Sequence, residues 1–355
     1  MTPPTTLHGS YVASDVTFLL RLTELESTDL AEKERLIQSG QRHYSQMLSI
    51  ESPPSNEHQT LYQQALNTGL ERLATEVQML ALALKTKRPN RPIVLVSFVR
   101  AGIPLAILLR RALIDLGAEC VHYGVSIIRD KGIDTAALNW IETQHPFEDI
   151  VFVDGWVGKG AIFTQLQASL GQRYTDEIPF VVLADPTGKA WLSASGDDWL
   201  IPSGVLGATV SGLISRSVLA DDGGWHHCML YEHLRAYDQS QAFIETVDAH
   251  RKTLKTVPLL NWTPALRAQL QAQSQAAIAH IVDTYQIQNL NRLKPGIAEA
   301  TRAVLRRVPE RILVQDPTNP NLRLLQHLAD TRHIELETVA TIAPYHAITI
   351  IKKAL

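Results

Sequence analysis

The feature that most constrains the fold is an alternation of short apolar runs with helical segments over the first two thirds of the chain. The runs IVLVSF, IVFV and PFVVLA each end at a polar or glycine-rich turn, and helix-forming sequence follows the first two. Strands that are apolar on both faces are typical of parallel sheets, because their crossover connections place helices on both sides. The pattern therefore predicts an α/β domain with a mainly parallel sheet covered by helices.

Helical spacing of apolar residues predicts the connecting elements. The segment 61–85 has this spacing and indicates one long amphipathic helix. LAEKERLIQSG predicts a short helix that stops at Gly40, and Ile150–Val153 predicts a buried strand followed by a helix over Phe163–Leu170.

The pattern changes beyond residue 248. A Gln/Ala-rich stretch predicts a helical linker over 249–292, and a second helix and strand alternation begins near Lys294. We therefore predict a large domain over 1–248, with an N-terminal extension over 1–60, and a small α/β domain over 293–355.

Composition narrows the class of protein. The 355 residues include only two cysteines, too few for a disulfide framework or a cysteine-based zinc site. The N-terminus lacks the basic start and apolar core of a secretory signal, and no apolar run approaches the ~18 residues that span a bilayer. A cytoplasmic protein without a membrane segment is expected.

Charge is distributed unevenly along the chain. Residues 249–355 contain 14 Lys and Arg against 7 Asp and Glu, a balance of +7, which leaves −10 for residues 1–248 out of the total of −3. A basic tail behind an acidic body is typical of proteins with a polyanionic partner, although a solvated surface has the same composition.

The loop in VFVDGWVGKGAI indicates an anion site. Its glycines allow backbone N–H groups to turn inward at the start of a helix, and Lys159 adds a positive charge. The loop is not a nucleoside-triphosphatase P-loop, because Gly160 and Ala161 follow Lys159 where Ser or Thr is needed. The alternative is a tight turn without a ligand.

Other strand ends carry complementary groups. Arg100, Arg129, Asp154 and Asp185 all follow predicted strands. Ligands of open parallel sheets bind at the carboxyl ends of the strands, so these side chains are candidates for one site.

Together these loops resemble those of the type I phosphoribosyltransferases. The order VRAGIP, SIIRDKGID, VFVDGWVGKGAI matches the pyrophosphate loop, the mobile loop and the phosphoribosyl diphosphate motif of that family. Over residues 9–245 the chain is also similar to a phosphoribosyltransferase-like bacterial family found near tellurium-resistance and stress genes, with members labelled "cysteine protease StiP". The tail KPGIAEATRAVLRR is similar to the pelota-type RNA-binding domain related to L7Ae.

The resemblance implies roles for the strand-end residues. Asp154, Arg129 and Lys131 take the catalytic positions, with Asp154 on the ribose hydroxyls. The implied phosphate-binding residues are Arg100, Ala101, Gly102, Gly155, Trp156, Val157, Gly158, Lys159, Gly160 and Ala161. Mg²⁺ is implied through the diphosphate, with Asp154 as an additional ligand, and no direct protein metal site is expected.

The implied function is transfer from phosphoribosyl diphosphate to a nucleobase-like or nucleotide-like acceptor, in a stress response. The weaker acceptor candidates are Asp185, Ser211 and Arg216. The alternative is a regulatory protein that binds a phosphoribosyl ligand or RNA without turnover. Gly155 replaces the second acid of the family motif, and a homodimer is left open.

RNA is the second implied partner. Lys294, Arg302, Arg306 and Arg307 lie at spacings that place most of them on neighbouring turns of one helix, which predicts a basic face. The alternative is that this helix docks on the acidic body.

A protease is the function we reject from the sequence. WHHCML places His226, His227 and Cys228 in a row, but adjacency does not direct an imidazole at the sulfur. We therefore predict that Cys228 is a buried apolar residue.

Overall fold

The computed structural model describes residues 7–24, 26, 28–171, 173, 177–220 and 222–353. The strands are β1 Thr17–Phe18, β2 Arg21–Leu22, β3 Ile93–Phe98, β4 Cys120–Val125, β5 Ile127–Ile128, β6 Gly132–Ile133, β7 Ile150–Val153, β8 Phe180–Ala184, β9 Leu192–Ser195, β10 His227–Cys228, β11 Leu293–Pro295, β12 Pro309–Val314, β13 Glu335–Thr338 and β14 Ala347–Ile351. The helices are α1 Leu30–Gln38, α2 Asn56–Lys87, α3 Gly102–Asp115, α4 Thr135–Gln144, α5 Ala161–Leu170, α6 Pro202–Val205, α7 Ser240–Thr253, α8 Pro264–Thr284, α9 Ile297–Arg306 and α10 Arg323–Thr331.

The large domain is built on a six-stranded sheet. Its order is β1-β4-β3-β7-β8-β9, and every neighbouring pair is parallel. All residues of β3, β7 and β8 are buried, as expected for central strands covered on both faces. The predicted α/β class with a parallel sheet is confirmed.

The helices agree with the apolar spacing, and their ends are set by local chemistry. The long helix α2 begins before the predicted residue 61, because the Ser55 side chain accepts a hydrogen bond from the backbone N–H of His58 and caps it. The helix after β7 begins at Ala161, where the left-handed Gly160 (φ 83°) ends the loop.

The small domain has its own sheet, in the order β11-β14-β12-β13. Strands β12 and β13 are parallel, whereas β14 is antiparallel to both β11 and β12. Helix α8 contributes Ala277 and Ile281 to a core with Leu313 and Ile348 of this sheet. The alternation of helix and strand predicted from Lys294 onward is found in α9, β12, α10 and β13.

The two domains share one hydrophobic core. Ile297 and Val304 of α9 and Leu325 of α10 belong to the same buried cluster as Val96 and Phe152 of the central sheet. Helix α9 packs on α6, so the small domain is held against the large one through an apolar interface.

Candidate functional site

The carboxyl ends of the parallel strands surround a cavity of about 80 Å³. The structure brings together at this cavity many of the residues named from the sequence. They are Ala101, Arg129, Asp154, Trp156, Val157, Gly158, Lys159, Gly160 and Ala161.

The glycine loop is closely packed, which explains its residue types. A Cβ on Gly155 would lie 2.7 Å from the carbonyl oxygen of Ala101, so only glycine allows the loops after β3 and β7 to meet. Among the residues that the structure describes, no side chain caps the first turn of α5, and the N-terminal end of that helix faces the cavity at Gly160 and Ala161.

The small domain closes the other side of the cavity. Lys294 and Pro295 of β11 and Glu299 of α9 line it. The Tyr345 hydroxyl donates to the carbonyl of Gly158 over 3.1 Å, and the Lys159 ammonium donates to the carbonyl of Leu290. The site is therefore made by both domains.

Burial shifts the pKa values of three ionisable groups in the cavity, Asp154, Lys159 and Lys294, toward neutrality. Removal from water raises the pKa of Asp154 to about 7, although the N–H of Gly155 donates to its Oδ1 over 2.8 Å. Burial, with the charge of Arg129, lowers the pKa of Lys159 to about 8 and that of Lys294 to about 7.

Arg100 does not line the cavity. Its guanidinium donates to the carboxylate of Glu51 and, over 3.0 Å, to the carbonyl of Ile214. Glu51 is also paired with Arg306 over 3.1 Å, so Arg100 belongs to a buried ion-pair network at the base of α9. Lys131 is exposed beside the β5–β6 turn and lies outside the cavity lining.

The acceptor candidates lie elsewhere. Asp185 is fully buried and accepts from the backbone N–H groups of Thr187 and Ala190, so it forms an Asx turn. The Ser211 hydroxyl donates to the carbonyl of Gly207, and Arg216 donates to the carbonyls of Tyr44 and Met47. None of these three residues lines the cavity.

The residues predicted to form the RNA-binding face are largely enclosed. Lys294 is only 7% exposed, Arg302 stacks over the ring of Trp156, and Arg306 is paired with Glu51. Arg307 follows at the end of α9 and is half-buried. The basic helix therefore docks on the large domain, which was the alternative considered for it.

Several residues in and around the site could not be found from the sequence. Glu51 lies in a polar segment that carries no strand or helix pattern, and Glu299 and Tyr345 belong to the other domain. Their roles depend on how distant segments meet, and a single sequence has no signal for that.

Both cysteines are buried in this structure. Cys228 in β10 is fully buried, and burial raises the pKa of its thiol to about 12, as it does for Cys120. The imidazole of His226 is hydrogen-bonded through Nδ1 to the Ser126 hydroxyl at 2.7 Å, and Asp134 accepts from the His226 backbone N–H.

The architecture defines an α/β protein in which a small second domain covers the strand-end loops of a parallel sheet. The sequence model described as "Tellurite-like stress resistance cysteine protease StiP" matches residues 9–248, and that of the PELOTA RNA binding domain matches residues 272–353. The chain belongs to the StiP family.

One relative agrees with this assignment over almost its whole length. The "Cysteine protease StiP" of Acinetobacter baylyi is 52% identical over 361 residues, covering 97% of this chain and 94% of the relative. Among solved structures, hypoxanthine phosphoribosyltransferase of Trypanosoma cruzi is 18% identical over 38% of this chain and 81% of its own, with a TM-score of 0.25. A variant of that enzyme with its product IMP is 16% identical over 36% and 68%, with a TM-score of 0.24. Similarity at this level says nothing about what the present chain binds.

These findings correct the expected function. The expectation of a phosphoribosyltransferase that uses phosphoribosyl diphosphate is wrong, because the family and the 52%-identical relative are both named cysteine proteases. The rejection of a protease is wrong for the same reason. The division of domains at 248 and 293 and the expected Mg²⁺ and homodimer stay predictions.

The described part of the chain contains no helix that combines the length and apolar character needed to cross a bilayer.

Proposed function

We propose that this chain is a cysteine protease of the StiP family, acting in stress resistance, with Cys228 as its nucleophile. The observation that carries the choice of residue is the extended segment around β10, in which the carbonyls of His226 and Cys228 both accept from the backbone of the β2 segment, an alternation that puts the two side chains on the same face. Cys120 begins β4, at the opposite end of the sheet from the strand-end loops.

The chemistry would require an imidazole to take the Cys228 proton while sulfur attacks the peptide carbonyl. The same imidazole would return the proton to the leaving amine, and water would then hydrolyse the thioester. Asp134 lies close enough to His226 to raise its pKa, which opposes the lowering by burial.

A fully buried thiol with a pKa near 12 is neutral at neutral pH and therefore a poor nucleophile. The arrangement supports a latent enzyme in which β10 must shift to expose sulfur before it can react.

The test compares the wild type with Cys228→Ser and a matched Cys120→Ser variant in the hydrolysis of fluorescent casein under reducing conditions. We expect Cys228→Ser to lose hydrolysis and Cys120→Ser to keep it. Iodoacetamide labelling followed by mass spectrometry should modify Cys228 faster under the conditions that give activity than under those that do not. Hydrolysis that survives in Cys228→Ser, or a wild type without hydrolysis, would refute the assignment.

We also propose that the small domain binds RNA, because residues 272–353 match the PELOTA RNA binding domain. With the basic side of α9 docked, the exposed cations are found elsewhere in this domain, including Arg323 and Lys353. Binding through them would be mainly electrostatic and salt-dependent.

Titration of the full chain with a structured RNA tests this proposal. The double variant Arg323→Gln/Lys353→Gln should weaken binding severalfold and reduce the salt dependence, whereas Lys255→Gln, an exposed lysine between α7 and α8, should leave both unchanged. Equal affinity in all three proteins would contradict it.

A further inference from the structure

The strand that carries Cys228 is paired with a segment of the same chain that lies against it as an extended peptide would. The backbone N–H of Arg21 donates to the carbonyl of His226 over 3.0 Å, and that of Thr23 donates to the carbonyl of Cys228 over 2.9 Å. The register places Leu22 opposite Cys228. Main-chain hydrogen bonds of this kind are one way in which proteins bind extended peptides along a strand. Strand β2 therefore occupies the place that a peptide bound along β10 would take.

The side chain of Arg21 is held in a site that fits a guanidinium group. Its Nη1 and Nη2 donate to the two carboxylate oxygens of Asp222 over 2.9 and 2.6 Å, and its Nε donates to the carbonyl of Trp225 over 2.9 Å. A forked pair of this kind selects arginine by its planar shape as well as by its charge, and the single ammonium of lysine does not reproduce it. The site is therefore specific for arginine among the basic side chains.

The loop that supplies these acceptors is held in position by its own contacts. The N–H of Gly224 donates to Oδ1 of Asp222 over 3.0 Å, and Arg21 together with this N–H keeps the pKa of Asp222 well below its ordinary value. Gly224 also leaves room for the guanidinium, since a Cβ there would lie 2.8 Å from Nη2 of Arg21. The carboxylate is therefore charged and oriented toward an arginine at neutral pH.

The site is open to solvent, so another arginine can reach it. The side chains of Arg21 and Asp222 are 35% and 61% exposed, and Leu22 is 54% exposed, whereas Leu20 just before them is buried. An open groove of about 810 Å³ has Asp222 and His227 in its lining. Because an exposed ion pair contributes little to stability, β2 can separate from β10 at small cost while the chain stays anchored at Leu20.

We propose that Asp222 and the carbonyl of Trp225 form a binding subsite for an arginine side chain of an extended peptide, and that β2 occupies this subsite as an internal mimic of the substrate. The inference rests on the protease proposed above, because its substrates would be peptides whose arginine replaces Arg21 and whose next residue lies beside Cys228. Release of β2 is then the rearrangement that frees β10. The same step therefore exposes the nucleophile and selects the substrate.

Fluorescence anisotropy with short labelled peptides tests the subsite without requiring hydrolysis. The probes are LRLTE, which is the sequence of residues 20–24, and the matched LQLTE. The full chain with Cys228→Ser and Arg21→Gln lacks the proposed nucleophile and the internal arginine, and it should bind LRLTE about tenfold more tightly than LQLTE. Adding Asp222→Asn should abolish this preference. Equal affinity for the two peptides, or no binding of either, would overturn the inference.

Cysteine labelling tests the role of β2 in chains with an intact thiol. Arg21→Gln and Asp222→Asn each break the pair, so iodoacetamide should modify Cys228 severalfold faster in both variants than in the wild type. Arg35→Gln breaks a different surface pair, with Glu32, and should be labelled at the wild-type rate. Added LRLTE should slow the labelling of Arg21→Gln, whereas LQLTE should not. Equal labelling rates in all four proteins would show that β2 does not cover the nucleophile.

Failure of the proposed protease and failure of the subsite give different results. Selective binding of LRLTE by a chain that hydrolyses no casein, in the wild type or in Arg21→Gln, would support the subsite and refute the protease. Hydrolysis that depends on Cys228, without any preference for arginine in binding or cleavage, would support the protease and refute the subsite.

Discussion

At the scale of single residues, the cavity between the domains is unusual because Asp154, Lys159 and Lys294 all have pKa values near neutrality. Asp154 is 8% exposed, and burial raises its pKa to about 7. The charge of this carboxyl therefore changes near neutral pH, well above the range of an exposed aspartate.

Asp154→Asn should stabilise the protein in a pH-dependent way. Between about pH 4 and 7 the folded chain keeps a proton on Asp154 that the unfolded chain has lost, so the wild type loses stability as pH rises through this window. The variant has no such loss and should be more stable by about 1–3 kcal/mol at pH 8, with little difference at pH 4. Urea unfolding at pH 4, 6 and 8 measures this difference.

The exposed Asp330→Asn on α10 is the control and should show no comparable trend. A stability difference for Asp154→Asn that stays constant with pH would show that its carboxyl ionises normally.

At the scale of elements, the docking of α9 depends on one carboxylate from the N-terminal segment. Glu51 accepts from the guanidinium groups of Arg100 and Arg306, and its Oε2 accepts from the N–H of Ala208 over 2.8 Å. These cations hold the pKa of Glu51 well below its ordinary value against the effect of burial. The carboxylate thus connects the loop after β3, helix α9 and the short helical turn at residues 208–210.

Glu51→Gln should destabilise the protein strongly, because it leaves the buried Arg100 without its counter-charge. We expect a loss of about 2–4 kcal/mol in the free energy of unfolding. The matched Glu32→Gln breaks a surface pair with Arg35 and should leave the free energy of unfolding nearly unchanged. Equal losses in denaturant titrations of the two variants would mean that the network contributes no more than a surface pair.

At the scale of the whole molecule, the shared core predicts that the domains unfold together. Residues of α9 and α10 belong to the cluster that includes the central sheet, so separating the domains would expose apolar surface on both. The interface therefore acts as part of the interior of the protein.

Differential scanning calorimetry should give one transition with equal calorimetric and van 't Hoff enthalpies. Ala298→Asp, at a position that is 4% exposed against Gly204, should lower the Tm or split the transition. Ala276→Asp, exposed on α8, should leave a single transition near the wild-type Tm. Two separate transitions in the wild type would show that the domains are independent.

Local patterns in the sequence were enough to predict the secondary-structure elements and the α/β fold class. Apolar runs such as Ile150–Val153 are buried on both faces in any compact parallel sheet, and the glycines after them suit few conformations other than a tight strand-to-helix loop. These are local properties, governed by residues close together in the chain, and they predicted the sheet, the helices and the loop that lines the cavity.

Which partner each charged side chain contacts depends instead on the tertiary structure. In the sequence, Arg100 and Lys294 both appeared available for ligands or RNA. Arg100 is instead neutralised by Glu51, and Lys294 is enclosed in the cavity between the domains. The burial of Cys228 also depends on tertiary structure. Strand β10 pairs with β2, about 200 residues earlier in the chain, and His227 pairs with Val218. Ion pairing, desolvation and enclosure depend on which distant segments meet, and the spacing of residues in one sequence does not encode that.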